Sequence, residues 1–134
     1  MVRYNVEISF QGRLIRRMCV SILTECDKKR SSSLYFSHTR TTGGHYNPDK
    51  LKHGAREDSV RHVGDLGNVL AAENGIVSTS YSDNVITLFG SRSIIGRAVV
   101  LHSAEDDLGK TDHPDSHKTG NAGGRVACGI VGIL

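Results

Sequence analysis

Four side chains that commonly bind metals lie within one stretch of this sequence. His45, His53, His62 and Asp65 are separated by seven, eight and two residues. Zinc takes four ligands in a tetrahedral arrangement and accepts both imidazole nitrogen and carboxylate oxygen. Residue types and spacing alone leave two interpretations, a complete zinc site or four unrelated surface residues. A closed four-ligand site would stabilise the protein rather than catalyse a reaction.

The segment that carries these residues must be held in place by the rest of the chain. Residues 43–75 are rich in glycine and charge and show little periodicity, so we expect a long loop. A loop of this length is unusual in a compact domain unless it is functional or tied down, and a metal would tie it down. The lean composition, with 37% hydrophobic residues and no tryptophan, also favours a core that a metal helps to stabilise.

Short alternating or apolar segments outside this loop predict strands. Residues 3–10 alternate polar and apolar side chains, whereas residues 13–23 fit either a helix face or a strand. Further strands are predicted at residues 34–36, 75–81, 85–90, 97–102 and 126–134. Short strands separated by turns predict a single all-β domain, an antiparallel sandwich or barrel.

Charge and hydropathy exclude several partners. The net charge is +3, but no basic cluster is interleaved with aromatic residues, so no nucleic-acid partner is expected. No run of about 18 apolar residues predicts a membrane span. The N-terminal residues lack the apolar region and cleavage site of a signal peptide, and we therefore predict a cytoplasmic protein.

From Gly44 to the C-terminus the sequence closely resembles eukaryotic copper/zinc superoxide dismutase. The matching segments are GGHYNPDKLKHG, RHVGDLGNV, ITLFGSRSIIGR, VVLHSAEDDLGK and KTGNAGGRVACGIVGIL. The last one contains Gly-Asn-Ala-Gly-x-Arg-x-Ala-Cys, a recognition pattern of that family. The resemblance covers about two thirds of the chain, and residues 1–42 do not share it.

The resemblance implies a Greek-key β-barrel, a superoxide dismutase-like sandwich with two long loops. Residues 43–75 would form the zinc loop and residues 103–124 the electrostatic loop of one domain spanning residues 1–134. Because residues 1–42 diverge, the N-terminal strands are expected to be altered or incomplete. The implied activity is that of an antioxidant oxidoreductase, which converts superoxide to oxygen and hydrogen peroxide. A homodimer through residues 95–96 and 129–133 is implied as well.

The resemblance also assigns the metal ligands. His45 resembles the imidazole that bridges zinc and copper, and the remaining zinc ligands would be His53, His62 and Asp65. His102 resembles a copper ligand. Considered without the resemblance, His102 could be a hydrogen-bonded histidine at the end of a strand.

Three further features resemble the surroundings of the family's metal site. Asp106 resembles the carboxylate that holds ligand imidazoles of both metals, and Arg125 resembles the guanidinium that guides the superoxide anion. Lys118 and Thr119 lie where the family's electrostatic loop meets its substrate channel. The residues alone leave plainer alternatives, since Asp106 could cap a loop, Arg125 could bind loop carbonyls and Lys118 could belong to a mixed-charge surface.

One family motif is missing from the sequence. The family has a His-x-His motif on a strand shortly before the zinc loop, which supplies two more copper ligands, and this chain has none. Only His38 precedes His45, and its neighbours do not match. His45 and His102 alone would hold copper weakly, because Cu(II) prefers a tetragonal set of nitrogens. Two hypotheses follow, an active superoxide dismutase and a non-catalytic, zinc-stabilised relative.

The three cysteines do not predict a defined disulfide. The family pairs the cysteine at position 128 with one shortly before His45, where this chain has Arg40, Thr41 and Thr42. We therefore expect Cys128 to be a buried thiol, and pairing with Cys19 or Cys26 stays open.

Overall fold

The fold is built from antiparallel strands. The computed structural model describes residues 2–9, 17–24 and 43–133. Its elements are β1 (Val2–Ser9), β2 (Arg17–Leu23), β3 (Asp65–Leu70), β4 (Ile76–Asp83), β5 (Ala98–His102), the helical turn α1 (Ser116–Thr119) and β6 (Arg125–Ile130). β1 pairs with β4, and the second sheet has the order β3-β2-β5-β6. The predicted all-β fold is confirmed, although the two sheets share no hydrogen-bonded strand within the described ranges.

Alternation along β2 separates the apolar core from the opposite face of the sheet. Met18, Val20 and Ile22 belong to the main core cluster, which also takes in Leu66, Val69, Leu101 and Ala127 from the neighbouring strands. Cys19 and Ser21 lie on the other face and are also buried. Residues 18–23 are therefore covered on both faces, which is why their apolar pattern fitted a helix as well as a strand.

A bulge between β2 and β3 brings two polar residues of β3 to the same region. Cys19 is paired with Asn68 and Ser21 with Asp65, so β3 carries one residue more than β2 over this interval. Gly67, at φ 74°, lies in this interval in a conformation that glycine adopts without strain. Residues three apart on a regular strand would face opposite sides of the sheet. The bulge lets Asp65 and Asn68 both approach the face that carries Cys19 and Ser21.

The structure corrects two predictions of secondary structure. The stretch 85–90 is not a strand, because Asp83 Oδ1 accepts the backbone N–H groups of Val85 (2.7 Å) and Ile86 (3.0 Å), which a sheet ladder would need. The predicted zinc loop 43–75 contains β3, so its irregular part ends near residue 64. The candidate strand 34–36, His38 and Cys26 lie outside the described residues.

The other predicted strands agree with the structure to within a few residues. The segments 3–10, 75–81, 97–102 and 126–134 correspond to β1, β4, β5 and β6. The predicted electrostatic loop 103–124 is irregular apart from α1. Among the residues described, no helix is long and apolar enough to cross a membrane.

Candidate metal centre

Three histidines surround one carboxylate oxygen at the start of β3. The Oδ1 atom of Asp65 lies 2.7 Å from His45 Nδ1, 3.0 Å from His53 Nδ1 and 3.1 Å from His62 Nδ1. All four side chains are buried, and one ligand atom from each lies within 4.8 Å of the others. The structure thus brings together the four residues for which the sequence left a zinc site as one of two interpretations.

Backbone hydrogen bonds hold His45 beside β2. The Tyr46 N–H donates to the Ile22 carbonyl (2.8 Å), and the Gly64 N–H donates to the Tyr46 carbonyl (3.0 Å). Gly64 packs so tightly here that an added Cβ would meet the Ile22 carbonyl oxygen and, at 2.9 Å, the Tyr46 nitrogen. The segment that carries His45 is therefore fixed against β2 on one side and against the residues preceding Asp65 on the other.

The second oxygen of Asp65 fixes the orientation of the carboxylate. Asp65 Oδ2 accepts the backbone N–H groups of His62 (2.8 Å) and Gly54 (3.2 Å). These two bonds leave Oδ1 directed at the three imidazoles. The two loop segments that carry His53 and His62 are thereby tied to the same side chain.

His53 joins the two long loops through Asp106. His53 Nε2 lies 2.7 Å from Asp106 Oδ1, and the His53 backbone N–H donates to the His117 carbonyl (3.1 Å). Asn68 holds the Asp106 backbone from β3, donating to its carbonyl (2.9 Å) and accepting from its N–H (2.8 Å). Partners of this kind set the tautomer of a metal-binding histidine and aim its other nitrogen.

Within the part of the chain that the structure describes, two buried imidazole nitrogens have no hydrogen-bond partner, His45 Nε2 and His53 Nδ1. The latter lies 3.0 Å from Asp65 Oδ1 but without the alignment of a hydrogen bond. Unsatisfied buried polar atoms are rare in proteins because leaving them unpaired costs free energy. An ion among the three Nδ1 atoms would satisfy His53, so the donor set fits zinc.

Burial and charge act in opposite directions on the pKa values of this cluster. Burial alone would raise the pKa of Asp65, but hydrogen bonds from His45 and His62 and the nearby His53 imidazole outweigh it and hold the value well below its usual range. Burial alone would lower the pKa of His53, and the carboxylates of Asp106 and Asp65 instead raise it to about 9. The metal-free cluster therefore carries an anionic Asp65 and a protonated His53 at neutral pH.

His102 lies beside this cluster but binds a hydroxyl group. Its ring centroid is 5.9 Å from that of His45, and its Nε2 atom lies 2.8 Å from Ser21 Oγ. Burial, with smaller contributions from His45 and Arg125, lowers the pKa of His102 to about 4, so the ring is neutral. The Nδ1 atoms of His45, His53 and His62 face Asp65, and the Nε2 atoms of His53 and His62 already have acceptors. Within the part of the chain that the structure describes, two buried imidazoles therefore remain for copper, His45 through Nε2 and His102. This pair does not fit the tetragonal nitrogen set of Cu(II).

The remaining predicted residues lie around His102 or on the surface. Arg125 pairs with His102 across β5 and β6 and donates from Nη2 to the Gly43 carbonyl (2.8 Å). Lys118 lies on the exposed turn α1, where its Nζ is 3.3 Å from Asp115 Oδ1. Sequence reasoning missed Cys19 and Ser21, whose only signal is that they are two residues apart on one face of β2.

Comparison with known proteins gives a consistent result. The family model described as copper/zinc superoxide dismutase matches residues 22–131. The match begins inside β2 and so extends further towards the N-terminus than the resemblance from Gly44. An extracellular Cu-Zn superoxide dismutase of Drosophila melanogaster is 62% identical over 91 residues, which cover 68% of this chain and 50% of the relative. The chain thus spans about half the length of this curated relative.

The comparison overturns one prediction. The sequence was expected to be that of a cytoplasmic protein, because a signal peptide was not recognised near Met1. The Drosophila relative is an extracellular enzyme, so the cytoplasmic assignment is wrong. The apolar region of a signal peptide bears on the compartment but not on the fold, so the residues of the metal centre contain no information about it.

Proposed function

The chain belongs to the copper/zinc superoxide dismutase family, and on this premise we propose that it holds zinc through His45, His53, His62 and Asp65. The reaction we assign to it is the family's, dismutation of superoxide to oxygen and hydrogen peroxide. We propose that this reaction is slow, because the described residues supply the copper half of the site with only two imidazoles, His45 and His102. The zinc half is the part that this sequence keeps complete.

The observation that carries the zinc assignment is the convergence of three Nδ1 atoms on one buried carboxylate. All the ligand atoms lie within 4.8 Å of one another, and His53 Nδ1 has no hydrogen-bond partner. The outer nitrogens of two ligands already have acceptors, Asp106 Oδ1 for His53 and the Leu51 carbonyl for His62. Acceptors at these positions orient imidazoles for a metal and increase their basicity.

The copper half supports only a weak site. Copper supplies the one-electron chemistry of the family reaction, and Cu(II) prefers a tetragonal set of nitrogens. Here His102 Nε2 is occupied by the Ser21 hydroxyl, whereas His45 Nε2 has no hydrogen-bond partner among the described residues. We assign Arg125, which pairs with His102 across the sheet, to the capture of the superoxide anion.

Two further assignments rest on the family and its extracellular member. We propose that the protein is secreted, as the Drosophila relative is extracellular. We also propose that the protein forms a homodimer. The two segments implied in dimer contact form one surface, because the Gly96 N–H donates to the Val131 carbonyl (2.8 Å), and Ile133 is 80% exposed beside them.

Metal loading followed by superoxide decay tests the proposed function. The metal-free protein is titrated with zinc and then with copper, and bound metal is measured after gel filtration. We expect about one zinc per chain, little retained copper and superoxide decay close to that of buffer. Failure to retain zinc would refute the zinc assignment. Retention of both metals together with fast superoxide decay would refute the proposal that the copper half of the site is incomplete.

Zinc affinity is expected to increase with pH. Zinc binds neutral imidazole, and the pKa of His53 in the metal-free protein is about 9, so binding must displace a proton from His53. The association constant should therefore increase about tenfold per pH unit between about pH 6 and pH 9 and then level off. Competition with a chelator of known pH dependence measures this. The Asp106→Asn variant, which removes the largest favourable contribution to that pKa, should level off at lower pH.

A constant affinity from pH 7 to pH 9 would contradict this prediction. The raised pKa of His53 also determines how the stability of the metal-free protein changes with pH. His53 gains its carboxylate partners on folding, so its stabilising contribution is complete below about pH 6.5 and is lost as the pH rises through 9.

A further inference from the structure

Two buried side chains of β2 face the incomplete half of the metal centre. Ser21 Oγ lies 2.8 Å from His102 Nε2, and Cys19 Sγ lies 3.7 Å from Asp106 Oδ2. Cys19 is 1% exposed and Ser21 is fully buried. Because they are two residues apart on one strand, both project from the same face of the sheet. His102 at the end of β5 and Asp106 in the following loop contact these two side chains on that face.

The partners of the two carboxylate oxygens of Asp106 indicate which group Cys19 replaces. The resemblance implies a carboxylate that holds one ligand imidazole of each metal. In this structure Asp106 Oδ1 contacts the imidazole of His53, whereas Oδ2 accepts from the thiol of Cys19. The thiol therefore lies where an imidazole bound to the second metal would donate its N–H to this carboxylate.

Ser21 occupies the other position. His102 Nδ1 lies 3.4 Å from the Gly123 carbonyl, which assigns the ring proton to Nδ1. The Ser21 hydroxyl then donates to Nε2 and engages the lone pair that a metal would need. His45 Nε2, on a side chain 2% exposed, is left without any partner on the side of the ring that faces away from Asp65.

We infer that Cys19 and Ser21 stand in two ligand positions of the second metal site, and that histidine at both positions would complete it. Together with His45 Nε2 and His102 Nε2, the Cys19→His/Ser21→His variant would present four imidazoles to one ion. Four nitrogens are the set that Cu(II) prefers. This inference rests on the proposed function, because His45 must bridge to a zinc-loaded site.

The test compares copper binding by zinc-loaded wild type, both single variants and C19H/S21H. Bound copper is measured by metal analysis, and its ligands by electron paramagnetic resonance. We expect C19H/S21H to retain about one copper per chain with a tetragonal nitrogen spectrum. Its copper affinity should exceed that of wild type at least about a hundredfold, because even outer-shell changes alter metal affinity about 10–100-fold. S21H alone should give a smaller increase.

A matched control separates a built site from added histidines. Ser78 and Ser80 are exposed and two residues apart on β4, so Ser78→His/Ser80→His adds the same groups away from His102. Equal copper binding by this control would overturn the inference. So would C19H/S21H that retains zinc but gains no copper. A third outcome that would overturn it is an unchanged copper affinity after His102→Ala in the C19H/S21H background.

Zinc content distinguishes failure of this inference from failure of the proposed function. Wild type that retains no zinc refutes the proposed function, whatever copper does. Larger side chains at two buried positions can also disturb packing. If C19H/S21H loses zinc and its circular dichroism signal, the single variant S21H becomes the test. An unchanged copper affinity of zinc-loaded S21H would then overturn the inference.

Discussion

Replacing Asp65 with asparagine is expected to abolish tight zinc binding. Asp65 Oδ1 lies 2.7 to 3.1 Å from all three Nδ1 atoms, and the side chain is fully buried. The Asp65→Asn change keeps the size of the side chain but removes its charge and the anionic ligand. Because loss of an outer-shell partner costs about 10–100-fold in metal affinity, loss of a direct ligand should cost more.

Chelator competition at constant pH measures this loss. Asp49→Asn is the matched control, since Asp49 lies on the same segment but forms an exposed pair with Arg92. That variant should bind zinc as wild type does. Zinc affinity of D65N within a few fold of wild type would show that Asp65 is not a ligand. The metal-free D65N protein should also have a lower pKa at His53, because Asp65 contributes to raising it.

Replacing Arg61 with leucine is expected to be the most destabilising single change near the centre. Arg61 Nη2 lies 2.6 Å from Asp83 Oδ2, and both side chains are at most 3% exposed. Arg61 Nη1 also donates to the Asp65 carbonyl (2.7 Å), which connects this ion pair to the residue that we propose as a zinc ligand. Removing one partner of a buried pair leaves an uncompensated charge and costs about 3–5 kcal/mol.

Urea unfolding of the zinc-loaded protein measures this cost. Arg92→Leu is the control, because it breaks the exposed Arg92–Asp49 pair and should cost less than about 1 kcal/mol. Arg61→Leu/Asp83→Asn should recover part of the loss, since the amide of residue 83 can still accept from Val85 and Ile86 through Oδ1. Equal destabilisation by the Arg61 and Arg92 variants would contradict the expectation that breaking a buried ion pair costs more free energy than breaking an exposed one.

Much of the zinc cluster could be predicted from sequence because its members are close along the chain. His45, His53, His62 and Asp65 lie within one segment, and their residue types limit the chemistry to metal binding or a solvated surface. The family resemblance then selected metal binding. Strands β1, β4, β5 and β6 were also predictable, because alternation or a short apolar run marks each of them.

The sequence was least informative where local polar side chains compete with strand pairing. Residues 85–90 have the composition of a strand, yet Asp83 and Thr87 take backbone N–H groups that a strand would use; Thr87 Oγ1 accepts from Phe89 at 3.1 Å. Conversely, Leu66 and Val69 make a strand within a segment predicted as loop, because both pack into the main core. In both cases contacts specific to this fold outweigh propensity.

The sequence by itself determined that three histidines and an aspartate able to bind a metal lie within one segment, and that a His-x-His motif is absent. Only the tertiary structure decided what stands in place of that motif. Ser21 meets His102 across 81 residues of chain, and Cys19 meets Asp106 across 87. Neither residue type is diagnostic alone, and strand pairing between β2 and β5 sets which side chains face each other. Register across a sheet depends on packing of the whole core, so local pattern cannot supply it.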